Sequence, residues 1–148
     1  MNNLRRLRKE LGMTQEDLER ETGISQAMIS AFENGEGGLT MSRILSLAEH
    51  MGTSVDYLLN RTDVEAPYPP GSARGNLRKL RRRAHLTQLG MEVRTRIDQS
   101  KLSKYERGEV LPTAPNAAIL ADFFHVSTDY LLDRTDVETP YPPKEKTT

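Results

Sequence analysis

The sequence predicts an all-α protein, built as two tandem five-helix domains joined by a Pro-rich linker. Three observations carry that expectation. The chain of 148 residues repeats itself. Shifted by 73 residues without a gap, Leu4-Arg5-Arg6-Leu7-Arg8 falls on Leu77-Arg78-Lys79-Leu80-Arg81, and Asp56-Tyr57-Leu58-Leu59 falls on Asp129-Tyr130-Leu131-Leu132. About thirty of the 67 overlaid positions are identical. Apolar residues recur at helical spacing between capping and stop residues. No run alternates β-branched and polar residues as a strand would. Two copies are too few for a solenoid, so each copy must bury a core of its own, near the lower size limit for an independent domain. The expected division is domain 1 at residues 1–66, a linker at 67–75, domain 2 at 76–140 and a polar tail at 141–148.

In copy one the first helix is expected from about Leu4 to Leu11, with Leu4, Leu7 and Leu11 on one face and Gly12 as a left-handed stop. Thr14 caps the second helix and Asp17 completes a capping box; Gly23 ends it. Ser25 caps the third, about Gln26 to Glu33, with Ile29 and Phe32 inward. After the loop from Asn34 to Gly38, Thr40 or Ser42 opens the fourth helix and Gly52 closes it. Ser54 caps the fifth, Val55 to about Asn60. Copy two follows the same plan, with His85, Arg96 and His125 in place of three stop glycines and Gly90 inside its second helix. Leu86, Ile97, Leu102, Tyr105, Leu120, Phe123, Phe124 and Val126 predict a bulkier core there, beside a less regular second helix. Tyr68 and Tyr141, inside the Pro-Tyr-Pro-Pro segments, read either as a recognition segment or, more plainly, as straps that pack back onto their own domains, and residues 144–148 are expected to fray.

Composition excludes several classes. The chain has 21 basic and 21 acidic side chains, no Cys and no Trp. Without Cys there is no disulfide scaffold, Cys-ligated zinc site or thiol nucleophile, which fits a cytoplasmic address. The N-terminus has positive charge but no apolar run behind it, so it does not read as a signal peptide. No stretch approaches a membrane span. His50, His85 and His125 have no metal-like spacing. The carboxylates Glu16, Asp17, Glu19 and Glu21 lack a His or metal partner. No nucleophile triad or phosphate-binding Gly loop is present. A non-enzyme without cofactor, and without an evident small-molecule site, is expected.

The second and third helices of each copy are separated by a turn of about three residues, Thr22-Gly23-Ile24 in copy one. Such a pair leaves the second of its helices protruding, with a width that suits the DNA major groove. The protruding positions are Gln26, Ala27, Ser30 and Ala31 in copy one, and Gln99, Ser100, Lys101, Ser103 and Lys104 in copy two. Gln suits adenine, Lys reaches guanine, and Ala or a Ser β-carbon touches the thymine methyl.

These residues resemble the Cro/lambda-repressor (Xre) helix-turn-helix family. The likeness is carried by Thr14-Gln15-x-x-Leu18, Gly23-Ile24-Ser25-Gln26, Glu33-Asn34-Gly35 and Asp56-Tyr57-Leu58-Leu59. It is carried again by Thr87-Gln88, by Leu102-Ser103-Lys104-Tyr105-Glu106-Arg107-Gly108-Glu109 and by Asp129-Tyr130-Leu131-Leu132. The resemblance implies a five-helix domain whose third helix reads the major groove. It implies a phosphate or base-edge role for Gln15 and Gln88, base contacts for Gln26, Ala27, Gln99 and Ser100, and phosphate contacts for Asn34, Arg107 and Asn116. Two departures stand out. Glu19 and Glu92 occupy the place of a small Ala that lets helices two and three approach, and Arg96 replaces the usual turn Gly. Both bear on the helix angle in copy two.

The expected function is that of a sequence-specific double-stranded DNA-binding transcriptional regulator, a repressor of bacterial or phage type. Two domains suit two half-sites about 34 Å apart, and a ten-residue linker spans at most about 33 Å. A homodimer, with one copy at its interface, stays open. So does a different class: a protein-interaction module such as an antirepressor or antitoxin. The neutral total also hides a split. Residues 1–70 hold 7 basic against 11 acidic side chains, and residues 71–148 hold 14 against 10. Copy two is therefore expected to supply most of the non-specific attraction to phosphate.

Overall fold

The protein is described by a computed structural model over residues 2–144. Among these residues it forms ten helices and no strand, apart from one isolated antiparallel bridge between Pro70 and Thr135. The helices divide between two compact units, Met1–Pro67 with Tyr141–Thr148, and Tyr68–Pro140.

Unit 1 holds α1 (Asn3–Glu10), α2 (Gln15–Thr22), α3 (Gln26–Glu33), α4 (Met41–Met51) and α5 (Val55–Leu58). Caps set these boundaries. Asn2, Thr14, Ser25, Thr40 and Ser54 each accept a backbone N–H of the following turn, and Thr14 with Asp17 closes the full capping box. Gly23 and Gly52 end α2 and α4 at φ of +76° and +65°, a conformation that costs glycine nothing sterically. Leu4, Leu18, Ile29, Ile44, Leu47, Tyr57 and Leu58 are fully buried between these helices. Each such side chain contributes roughly 1.5–3 kcal/mol.

Unit 2 holds α6 (Asn76–Arg83), α7 (Gln88–Thr95), α8 (Gln99–Arg107), α9 (Ala114–Phe124) and α10 (Thr128–Leu131). His85, Arg96 and His125 keep the left-handed geometry of the glycines they replace, at φ of +58°, +63° and +55°. The backbone path is thus conserved between copies at a steric cost of about 1 kcal/mol per residue or more. Thr87 caps α7 through the Gly90 N–H, but Gly90 offers no carboxylate in return, so the capping box of α2 has no counterpart. The expected bulkier core is not found. Met91, Leu102 and Leu120 are the large, fully buried side chains of unit 2, fewer than in unit 1. Phe123 and Phe124 stay half-buried in an edge-to-face pair, and Ala117 stands where unit 1 buries Ile44.

The Pro-Tyr-Pro-Pro segments depart from the sequence expectation. Tyr141 is buried in unit 1, not in unit 2. The Lys144 N–H donates to the Arg61 carbonyl at 3.2 Å, and Lys144 Nζ reaches Asn3 Oδ1 at 3.2 Å. Tyr68 belongs to unit 2, where its hydroxyl donates to the Pro140 carbonyl at 3.0 Å. The Gly71 N–H there donates to the Arg134 carbonyl at 3.1 Å, the counterpart in the repeat of the Lys144 bond to Arg61. A Cβ on Gly71 would come within 2.5 Å of the Asp136 backbone nitrogen, so only glycine passes. Sequence repetition did not reveal this exchange, because two identical Pro-Tyr-Pro-Pro segments carry no mark of the copy each will meet. Residues 145–148 of the expected tail lie outside the described residues.

Candidate nucleic-acid interface

The candidate interface of each unit starts from a buried carboxylate. Glu33, at the C-terminal end of α3, has a fully buried side chain. It accepts Arg8 Nε and Nη2, each at 2.8 Å, with Arg5 Nε at 3.2 Å and Gln15 Nε2 at 3.1 Å. The third Arg8 nitrogen, Nη1, donates to the Met13 carbonyl at 2.9 Å. Burial pushes the Glu33 carboxyl up. The Arg8 and Gln15 hydrogen bonds and the Arg8 charge outweigh it and hold the group below the usual carboxylate range. Glu106 repeats the arrangement, with Arg81 Nε at 2.7 Å, Arg81 Nη2 at 2.9 Å, and Arg78 Nε and Gln88 Nε2 each at 3.3 Å. Its carboxyl is also lowered, with burial opposed by Arg81 and Gln88. This anchor ties the first, second and third helices of each unit together at one point.

From the anchor the network runs outward to the recognition residues. Gln15, held by Glu33, accepts Gln26 Nε2 at 2.8 Å. An unbroken relay of Arg8, Glu33, Gln15 and Gln26 thereby fixes the first side chain of α3. In unit 2 the relay stops at Gln88: among the described residues the Gln99 side chain has no hydrogen-bond partner. The turns that precede α3 and α8 are braced alike. Thr22 and Thr95 each donate to a carbonyl in their own helix and accept the Ile24 or Ile97 N–H at 3.2 Å. The Gly23 and Arg96 N–H groups donate to the Glu19 and Glu92 carbonyls at 2.8 and 2.7 Å. The turn therefore keeps its path in copy two despite Arg96.

The surfaces differ in exposure and charge. On α3, Ala27 is exposed, whereas Gln26, Ser30 and Ala31 are half-buried; Asn34 beyond it is exposed and accepts from Arg5. The helix carries no cation. On α8, Gln99, Ser100, Lys101, Lys104 and Arg107 are exposed and Ser103 is half-buried. Arg107 folds back on Glu109, at 2.8 Å, and on Ser103. Asn116 donates to the Tyr105 hydroxyl at 2.9 Å. Among the described residues Arg74, Lys79, Arg82, Arg94, Arg96, Lys101 and Lys104 of unit 2 have no ion-pair partner, and in unit 1 the same holds for Lys9, Arg43 and Lys144.

The sequence reading missed Arg43 and the two anchors. Arg43 holds in unit 1 the place of Asn116, exposed at the start of α4, so the repeat register itself was the available signal. Glu33 and Glu106 were also marked by the repeat, together with Arg5, Arg8, Arg78 and Arg81. No grouping of His, Asp or Glu fit to hold a metal, and no helix long and apolar enough to cross a membrane, occurs among the described residues.

Comparisons with known proteins agree with this geometry. A family model described as helix-turn-helix matches residues 4–58, and a second, described as a helix-turn-helix domain, matches residues 74–134. The chain is similar to the uncharacterised HTH-type transcriptional regulator y4dJ of Sinorhizobium fredii (strain NBRC 101917 / NGR234). The two are 39% identical over 67 residues, 45% of this chain and 86% of that protein. No solved structure matches the chain. Two matched models in series, over two units with the same anchored turn, place the chain in the helix-turn-helix family, of which it carries two domains in tandem.

Proposed function

We propose that the chain is a sequence-specific double-stranded DNA-binding transcriptional regulator of repressor type, with α3 and α8 in the major groove. The supporting observation is the turn held twice by the same buried anchor, with a polar first residue presented on each recognition helix. The relative, named a transcriptional regulator, points the same way. Gln26, set by Gln15, is suited to an adenine edge; Lys101 and Lys104 are suited to guanine or phosphate. Asn34, Arg43, Arg107 and Asn116 flank the groove as phosphate contacts, and Arg107 exchanges Glu109 for a phosphate on binding. The unpaired cations of unit 2 make it the larger source of counterion release. Such a regulator works beside the DNA, in the cytoplasm, by blocking access to its site.

Selection of binding sites from random duplexes, followed by gel shifts, tests this. Each of Gln26→Ala and Lys104→Ala should lose about 1–3 kcal/mol of affinity, roughly five- to 150-fold. Lys101→Gln with Lys104→Gln should flatten the salt dependence by up to about two phosphate contacts. A second reading has one observation in its favour: α3 carries no cation, and α2 before it carries Glu16, Asp17, Glu19 and Glu21. If Gln26→Ala and Lys104→Ala both keep full affinity while a protein partner is retained, the antirepressor or antitoxin reading replaces the first.

A further inference from the structure

Glu19 and Glu92 lie on α2 and α7, one turn before the end of each helix, where a small residue would let the next helix pack close. Neither side chain is turned loose into solvent. Glu19 Oε1 accepts the backbone N–H of Gln26 at 3.1 Å, and Glu92 Oε1 accepts the backbone N–H of Gln99 at 2.7 Å. Gln26 and Gln99 are the first residues of α3 and α8. The first N–H groups of a helix have no partner within it. The ordinary caps leave this particular one unserved: Ser25 accepts from Met28 and Asp98 accepts from Ser100. The carboxylate thus closes a seven-residue span from one helix to the next, in both copies and at the same repeat position.

We infer that Glu19 and Glu92 are positioning residues for DNA reading, each fixing the backbone of the first recognition residue at its helix start. The inference rests on the DNA-binding role proposed above. A charge-assisted bond to this N–H sets where the Gln side chain leaves the backbone. Base readout depends on that departure point within a fraction of an ångström. The two copies depend on the bond unequally. Gln26 is held at both ends, by Glu19 on its backbone and by Gln15 on its side chain. Gln99 is held at its backbone alone, so unit 2 depends wholly on Glu92 for the placement. The carboxylate also brings a negative charge toward the phosphates.

The test compares Glu92→Gln, which keeps an acceptor oxygen and removes the charge, with Glu92→Ala, which removes both. Affinities of the full chain are measured on a duplex selected by the native protein. Glu92→Gln should stay within about threefold of the native chain, and Glu92→Ala should lose about tenfold. Glu19→Ala should lose less than Glu92→Ala, and adding Gln15→Ala should remove that difference. Hydrogen exchange at the Gln99 amide needs no variant to fold: in the native chain without DNA it should be slowed about tenfold relative to the rate of the same amide in an unstructured chain. A Gln99 amide exchanging at the open rate overturns the inference. So do equal affinities of the Gln and Ala variants on a duplex the native chain selects, and in that case the DNA-binding role survives. If the native chain selects no duplex, the DNA-binding role fails and the inference fails with it.

Discussion

In unit 1 the network from the buried carboxylate reaches the recognition helix through Gln15 and stops at Gln26, which is half-buried and held. In unit 2 the same carboxylate, arginines and glutamine end one step earlier, and Gln99 stands exposed on a helix that also presents Lys101 and Lys104. One copy of the fold has spent its polar groups on order, and the other has kept them for contact. The difference shows that a duplicated scaffold can separate two requirements of recognition. A preorganised side chain loses little entropy on binding, whereas free cations add attraction that fades with salt. The anchor is the part neither copy has relinquished.

The largest expected effect breaks what the units share. Arg8→Ala leaves Glu33 buried without its main partner and should destabilise unit 1 by about 3–5 kcal/mol. Arg81→Ala should do nearly the same to unit 2, since its ion pair is almost as buried. Denaturant melts of the full chain, followed by probes in each half, check both; a large loss in one unit alone would mean that the anchors are not equivalent. A middle-sized effect concerns the turn. Arg96→Gly relieves a left-handed residue at φ of +63° and should stabilise unit 2 by about 1 kcal/mol, whereas Gly23→Arg should cost unit 1 about as much. Matched melts of the two variants sharpen how far the copies share one backbone.

The smallest effect lies at another matched position. Unit 2 pairs Arg83 with Glu138 at 2.6 Å, while unit 1 sets Glu10 against Glu65. Hydrogen bonding to Glu65, with burial and the Glu65 charge, raises the Glu10 carboxyl above its ordinary range. A carboxyl raised on folding favours the folded state while protonated, and that contribution is lost as pH rises through its folded value. Glu33 and Glu106, lowered on folding, act in the opposite sense: their contribution is present above the unfolded carboxylate range and is lost as pH falls through the folded value. Acidification should therefore weaken both units, and unit 1 less steeply. Glu10→Arg should raise the neutral-pH melting midpoint of unit 1 slightly and steepen its acid loss toward that of unit 2. An unchanged acid profile would remove Glu10 from the comparison.

Much of this was legible in the residues. Thr14 with Asp17, Ser25 and Ser54 marked helix starts that the structure places at the same residues, because capping is a local bargain between one side chain and the next turn. The resemblance and the repeat register pointed to Gln15, Gln26, Gln88 and Gln99, and the structure brings the first pair together. Burial was read less well. Phe123 and Phe124 looked like core from their size, but both stay half-buried, edge to face with each other, while Leu120 and the small Ala117 and Ala121 take the buried positions of that helix. Glu19 and Glu92 looked like departures from a family pattern, and only the folded chain reveals the N–H that each accepts.

The sequence by itself determined what is local or repeated: helical elements, their caps and stops, two copies of one unit, and the unequal sharing of charge between them. These follow from short-range sterics and hydrogen bonding, which neighbouring residues settle alone. Tertiary structure decided what depends on distant partners. It chose which arginine nitrogens meet Glu33 and Glu106, where the glutamine relay ends, and that Tyr141 is buried in unit 1. A buried charge or an apolar ring takes whichever partner the folded chain brings within reach, and that choice is made in space rather than along the chain.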